Sequence, residues 1–343
     1  MDQTEAERSS DGARITMQDV ARRAGVSTMT VSRALAAPDK VAEATRERVR
    51  TAIRDLGYVP DLVAGSLSSG RSRIVAALVS TLANSVFAET VDGLTAGLRA
   101  HGYQLLLGST DYSAEAEEAL VRAVLGRRPD GLVIAAGEHT AATRLALERA
   151  RIPIVETWDL PDRPLGLAVG FSNVDAGRAM TEALAGWGYR AIAFAGGDPA
   201  DSLRGRLRRD GYLAALRRLG RTPIEIAAGP GRKAMAAGAA AVRTLCDRDA
   251  RADALFCVSD PVAAGAMMEC RRRSIAVPDE LAIVGFGDFD IAGGDALELT
   301  TVRVPKYEIG ARSAAILIEA LAGQPVGAPV VDLGFEIVRR RSA

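Results

Sequence analysis

Apolar positions near the amino end recur at intervals of three and four, the period of short amphipathic helices. Thr16 can cap a helix from Met17 to Ala24 that turns Val20, Ala21 and Ala24 inward, and Gly25 supplies a turn. Ser27 can cap a second helix through Ala34 with Val31 and Leu35 inward, and a third, from about Glu43 to Leu56, offers Val49, Ile53 and Leu56 to the same core. From Ile74 onward the pattern changes to apolar runs of about six residues separated by amphipathic stretches of roughly 12 to 20. IVAALV, QLLLGS, GLVIAA and IPIVET read as buried parallel strands, with helices starting at about Phe87, Ser113 and Thr140. AIAFAG, ALFCVS and AIVGFG repeat the scheme.

This predicts an all-α head followed by an α/β body of doubly wound parallel sheets with helices on both faces. Ligands of such sheets bind outside the carboxyl ends of the strands, so two sheets facing each other make a cleft.

A chain of 343 residues suggests two or three units with cores of their own. With 48% hydrophobic and 4% aromatic residues, it is neither disordered nor fibrous. Cys246, Cys257 and Cys270 form no CxxC and are odd in number, which argues against a disulfide framework or a zinc site and fits a reducing compartment. No window reaches 18 apolar residues, and the polar start MDQTEAERSSDGAR has no apolar stretch behind it. A cytoplasmic protein with no membrane partner is therefore expected.

Lys plus Arg (43) equals Asp plus Glu (43), yet nine basic and five acidic residues lie between Arg14 and Pro60, a local charge of +4 on a body of −4. Such a layout suits a protein that touches nucleic acid with one part only, and equally a pair of solvated helix faces. The spacing Ala21, Gly25, Val31 decides between them, because two helices crossing this closely need a small residue, a turn residue tolerant of positive φ and a β-branched plug. That is a helix-turn-helix. Its second helix enters a major groove, with Thr28 and Met29 first and Thr30, Ser32 and Arg33 following around the solvent face. Met29 can pack on a thymine methyl and Arg33 can take guanine O6 and N7. The hydroxyls of Thr16 and Ser27 suit phosphate oxygens, and both can also be plain helix caps.

The stretches ITMQDVARRAGVSTMTVSRAL and VAEATRERVRTAIRDLGYVP closely resemble the DNA-binding domain of the LacI/GalR family of bacterial repressors, and the likeness runs to the carboxyl end. Within the family, TMTVSR, NSVFAE, EHT, VGFSNVDAGR, GFGDFDIA and VDLGF are most similar to the gluconate utilisation repressors. The resemblance implies base contacts at Thr28, Met29 and Arg33 and phosphate contacts at Thr16, Ser27, Thr30, Ser32 and Lys40. It also implies that DLVAGSLSSGRSR, otherwise a Gly/Ser linker, is a hinge helix that pairs across a homodimer on double-stranded operator DNA. Leu67 then matches the minor-groove wedge and Ala64 the helix-pair contact. Asp61 stands where Asn is usual, and Gly65 lowers helix propensity by about 1 kcal/mol relative to Ala.

The implied organisation is a disordered tail over 1–13, the head over 14–60, the hinge over 61–71 and a periplasmic-binding-type body over 72–343. Its first lobe holds about 72–169 and 302–325, its second about 170–301 and 326–343. The effector cleft is assigned by strand ends and by the resemblance. Phe87 covers a sugar face or starts a helix in the core. Arg208 in RLRRDGY matches an arginine that reaches the effector, a good fork for the carboxylate of a sugar acid such as gluconate. Arg206 and Arg209 read as solvated charge. Ser259 and Asp260 end ALFCVS, where the family commonly has Asn then Asp. Gly287 occupies the site of a family aspartate, which shifts that role to Asp288 and Asp290. Glu156 and Asp159 are hydroxyl acceptors or members of a lobe-bridging ion pair, and His139 is a structural histidine lifted by its neighbourhood to a contact.

No catalytic constellation exists: only His101 and His139 occur, with no HExxH, GxSxG or GxxxxGK[ST], so no enzyme, cofactor or metal is expected. The implied function is a ligand-controlled repressor. A cytoplasmic sugar-binding protein, or a repressor answering a neutral sugar or nucleobase, remains the alternative. Without a leucine heptad in the tail, a dimer is favoured over a tetramer.

Overall fold

The computed structural model describes residues 15–59, 71–82, 87–196, 203–227, 233–247, 251–295 and 297–343. The chain divides into two compact units, Met1–Ser72 and Arg73–Ala343.

In the first unit, α1 (Met17–Ala24), α2 (Thr28–Ala36) and α3 (Glu43–Leu56) enclose Val20, Ala21, Val31, Ala34, Val49 and Ala52. Gly25 ends α1 at φ +64°, the left-handed turn that a side chain would resist. Leu35 does not turn inward as its spacing suggests. It is 39% exposed, because the small Ala34 takes the core-facing position one residue earlier.

The second unit holds two parallel sheets. The first runs β11-β5-β4-β3-β1-β2, with β1 Ile74–Val79, β2 Gln104–Ser109, β3 Gly131–Ala135, β4 Ile154–Thr157, β5 Leu167–Gly170 and β11 Val330–Asp332. The second runs β7-β6-β8-β9, with β6 Ile192–Ala195, β7 Ile224–Ile226, β8 Ala254–Cys257 and β9 Ala282–Val284. Single bridges, Val284 to Thr300 and Gly287 to Arg303, attach β10 (Thr301–Arg303), which pairs antiparallel with β12 (Glu336–Val338).

The first lobe carries α4 (Ala88–Arg99), α5 (Ala114–Leu125), α6 (Ala141–Ala150) and α12 (Lys306–Leu321). The second carries α7 (Asn173–Gly186), α8 (Leu203–Arg218), α9 (Ala234–Asp247), α10 (Asp260–Arg273) and the short α11 (Asp290–Gly293). Ser113 and Thr140 cap α5 and α6 through their side chains.

The tail corrects the expected boundary. Val330–Asp332 pairs with Leu167–Gly170 and extends the first sheet, so the last passage between lobes falls between Asp332 and Glu336, not at 326. The chain thus passes from lobe to lobe three times, also between Gly170 and Asn173 and between Arg303 and Lys306. An edge strand left unpaired would expose a row of backbone donors and acceptors, and β5 offers β11 that pairing.

Glycines set the spacing of α7 and α8. A Cβ on Gly177 would lie 2.2 Å from the Arg208 carbonyl, and one on Gly211 would lie 2.0 Å from that of Val174. The backbone around Arg208 is held against α7 by this contact.

Candidate nucleic-acid interface and ligand cleft

The first unit presents one polar face. Ser27 accepts the Thr30 amide at 3.1 Å and shares a hydroxyl contact with Thr30 at 2.9 Å, so both side chains are engaged in starting α2. The Thr16 amide and hydroxyl both donate to Asp19, at 3.0 and 2.7 Å, and these bonds hold the Asp19 carboxyl below its ordinary range. Thr28, Ser32, Arg33 and Lys40 are exposed, and Met29 is 69% exposed. A methionine that open to solvent contributes nothing to the core. Among the described residues, Arg33 and Lys40 pair with no carboxylate, whereas Arg22, Arg23, Arg46, Arg50 and Arg54 do. With Arg48 of α3 these are the cations of the head that no carboxylate pairs among the described residues, and two of the three stand on and just after α2. Leu67, Ala64, Asp61 and Gly65 lie outside the described residues.

In the second unit, β1 and β3 lie side by side where the strand order reverses, and their carboxyl ends open on the cleft. Arg204 reaches there from α8 and donates to the Ala136 carbonyl at 2.9 Å and the Ser80 hydroxyl at 2.8 Å. Its guanidinium carbon is 5.5 Å from the Phe87 ring centroid. One helical turn on, Arg208 donates to Asn173 Oδ1 at 3.0 Å and to the Val258 carbonyl at 2.7 Å.

Both arginines are buried, and among the described residues neither has a carboxylate at ion-pair distance. Burial, then the neighbouring charge of Arg204, pulls Arg208 down to about 9, and burial also lowers Arg204. Two guanidinium groups held this way raise the local demand for negative charge.

Aromatic rings line the junction. Phe87 and Trp158 stand 5.0 Å apart, Trp158 and Phe171 6.3 Å, Phe171 and Phe286 6.0 Å, a row that runs from the first lobe to the second. The buried Trp158 Nε1 has no acceptor among the described residues. Phe87 thus starts α4 and packs in this row at once.

The remaining candidates fall in three places. Glu156 accepts the Leu165 amide at 2.5 Å and contacts His139 Nε2 at 3.3 Å, while His139 Nδ1 meets Glu117 of α5 at 2.7 Å. These three side chains form one chain inside the first lobe. Burial favours a neutral ring, but the hydrogen bonds and charges of Glu117 and Glu156 outweigh it and push His139 up to about 9. Glu156 is no lobe-bridging ion pair, because both its partners are in its own lobe. Asp159 instead crosses to Asn173, whose side-chain amide it accepts at 3.0 Å.

Asp260 is fully buried and brackets its own lobe, accepting the Phe289 amide at 2.8 Å and the Thr301 hydroxyl at 2.5 Å. Burial pushes it up to about 6 against those bonds. Ser259 is the residue before α10 and makes no capping bond. Asp288, at φ +49°, gives one oxygen to Arg303 and the other to Arg340, each at 2.7 Å. Asp290 is exposed at the start of α11. The structure therefore gathers Phe87 and Arg208 in the cleft, while His139 and Glu156 tie up each other and the oxygens of Asp260 and Asp288 are taken.

Arg204, Trp158, Ser80 and Asn173 were not singled out from the sequence. Arg204 was legible, since it precedes Arg208 by four in LRGRLRR and so shares its helix face. Arg206 and Arg209 are paired rather than merely solvated, with Glu138 across the cleft and with Glu225.

Among the described residues no helix is long and apolar enough to cross a membrane, and no group of three or more His, Cys, Asp or Glu could hold a metal ion.

Residues 16–61 match the profile described as bacterial regulatory proteins, lacI family, and residues 181–343 that of a periplasmic binding protein-like domain. The chain is 38% identical over 332 residues to the HTH-type transcriptional regulator GntR of Pseudomonas aeruginosa, covering 96% of each. It is similar to the crystal structure of a LacI-family transcriptional regulator from Silicibacter pomeroyi, with TM-score 0.88 and 34% identity over 96% of this chain and 99% of that one. It is also similar to the lac repressor dimer bound to operator and the anti-inducer ONPF, with TM-score 0.83 and 25% identity over 96% and 99%.

Proposed function

The chain belongs to the lacI family of bacterial regulatory proteins and is a transcriptional repressor, not an enzyme, and from that premise we propose that its effector is a sugar acid of the gluconate type. The observation that carries this is the pair Arg204 and Arg208, two buried cations one turn apart with no carboxylate at ion-pair distance among the described residues. An anion on the effector relieves their burial, and a guanidinium matches a carboxylate better than any hydroxyl does. The aromatic row from Phe87 to Phe286 offers apolar faces to a carbon chain, and the unpartnered Trp158 N–H a donor for a hydroxyl. The GntR relatives support the same class.

Within this reading the head docks in a major groove through Thr28, Met29 and Arg33. Thr16, Ser27, Thr30, Ser32 and Lys40 take phosphates, and Leu67 of the 61–71 hinge enters the minor groove between the heads of a homodimer. The effector touches both lobes only when they close, so it shifts the population toward a state with different affinity for operator. Calorimetry with gluconate and with an uncharged hexose tests the class. Gluconate alone should bind, and equal binding of both would refute the carboxylate fork.

A further inference from the structure

The loop from Ala136 to Thr140 between β3 and α6 is held from two sides. On one side the second lobe grips it: Arg204 donates to the Ala136 carbonyl at 2.9 Å, and Arg206 pairs with Glu138. On the other side the loop is tied back into its own lobe. The His139 side chain is completely enclosed, with Nδ1 at 2.7 Å from Glu117 of α5 and Nε2 at 3.3 Å from Glu156 of β4. Thr140 donates to Glu118 of α5 at 2.9 Å and caps α6 through Thr143. Glu156 is further immobilised by the Leu165 amide. The gripped residues, Ala136 and Glu138, therefore lead directly into the anchored ones, His139 and Thr140.

We infer that His139 is a positioning residue for lobe closure: anchored between Glu117 and Glu156, it sets the edge of the first lobe against which Arg204 and Arg206 of the second lobe close. This rests on the reading that the effector acts by closing the lobes, but the geometry concerns the protein's own contacts. Hydrogen bonds to charged groups are the stronger kind, and two of them on one enclosed ring leave the loop little freedom. If His139 shifts, the Ala136 carbonyl and Glu138 leave the positions that Arg204 and Arg206 meet.

The test is hydrogen exchange on the full chain without effector, read at the amides of Leu207–Asp210 on α8, across the cleft from the substitution. His139→Asn should speed exchange there about tenfold, since opening a contact set by charged hydrogen bonds is the event that exposes them. Arg206→Ala should do part of the same, and the double variant should exceed His139→Asn by less than the effect of Arg206→Ala alone. Glu117→Gln, a milder change that keeps the side chain's shape, covers the case in which His139→Asn does not fold. It should act in the same direction. Unchanged exchange on α8 in the variant that folds, or fully additive effects, would overturn the inference. A parallel gluconate titration of the unaltered chain separates the two readings: absence of binding sinks the sugar-acid effector and leaves the exchange result to decide on His139.

Discussion

The guanidinium carbon of Arg208 stands 3.7 Å from the ring centroid of Phe286, and the two residues come from α8 and from the segment just after β9. A planar cation on an aromatic face keeps its edge free for a second planar group, whereas an ammonium does not. Arg208→Lys should therefore weaken gluconate binding by about 1.5 to 3 kcal/mol, the worth of a hydrogen bond to a charged group, while operator affinity without effector stays unchanged. Calorimetry and a gel shift read the two sides separately. Full gluconate affinity in the lysine variant would remove Arg208 from the site.

Arg33→Ala should cost roughly 1 to 3 kcal/mol at the operator and relax base preference at one position, because Arg33 is exposed on α2 and pairs with no carboxylate among the described residues. Lys40→Ala should weaken all sequences alike and reduce the salt slope by about 1. A dimer touching on the order of 6 to 10 phosphates should lose about 10³ to 10⁵ in affinity between 50 and 200 mM salt. Titrations over a randomised operator library at several salt concentrations separate these effects.

Against the effect of burial, the hydrogen bonds and charges of Glu117 and Glu156 push His139 up to about 9, above the ordinary 6.5 of a histidine. With the folded value raised, its stabilising contribution is complete below about 6.5 and disappears as pH rises through about 9. Urea midpoints between pH 6 and 10 should fall across that window, and His139→Asn should flatten the fall. An equal decline in both proteins would assign it to other groups.

Gly177→Ala should destabilise the body by about 1 to 3 kcal/mol, since the added carbon would sit 2.2 Å from a backbone oxygen that cannot swing aside. Gly186→Ala, on the same helix with nothing within 4 Å, should instead be neutral or stabilise by up to about 1 kcal/mol. Denaturant unfolding of the pair provides the comparison.

Much of the architecture was legible because it rests on local patterns. Ser113 and Thr140 mark their helices by capping chemistry, Gly25 marks a turn by its φ, and each apolar run became a strand at its expected place. Leu35 shows where periodicity stops being enough: with Ala34 next to it, only the distance between helices decides which of the two is enclosed. Among the site candidates, Arg208 comes from the likeness carried by RLRRDGY, and Phe87 from proximity to a strand end. Such proximity could not distinguish a carboxylate open to a ligand from one already satisfied, as Asp260 and Asp288 are.

The order of residues by itself determined the helical reader, the two βα blocks and the helix face that carries Arg204 and Arg208, because caps, turns and hydrophobic period act over a few residues. Only the tertiary structure decided that Val330–Asp332 belongs to the first sheet, that His139 is enclosed by Glu117 and Glu156, and that Arg204 bonds across to Ala136 and Ser80. Those partners lie from 17 to 162 positions apart in the chain. Which donor meets which acceptor over such distances is fixed by how the sheets pack, and no short-range pattern records it.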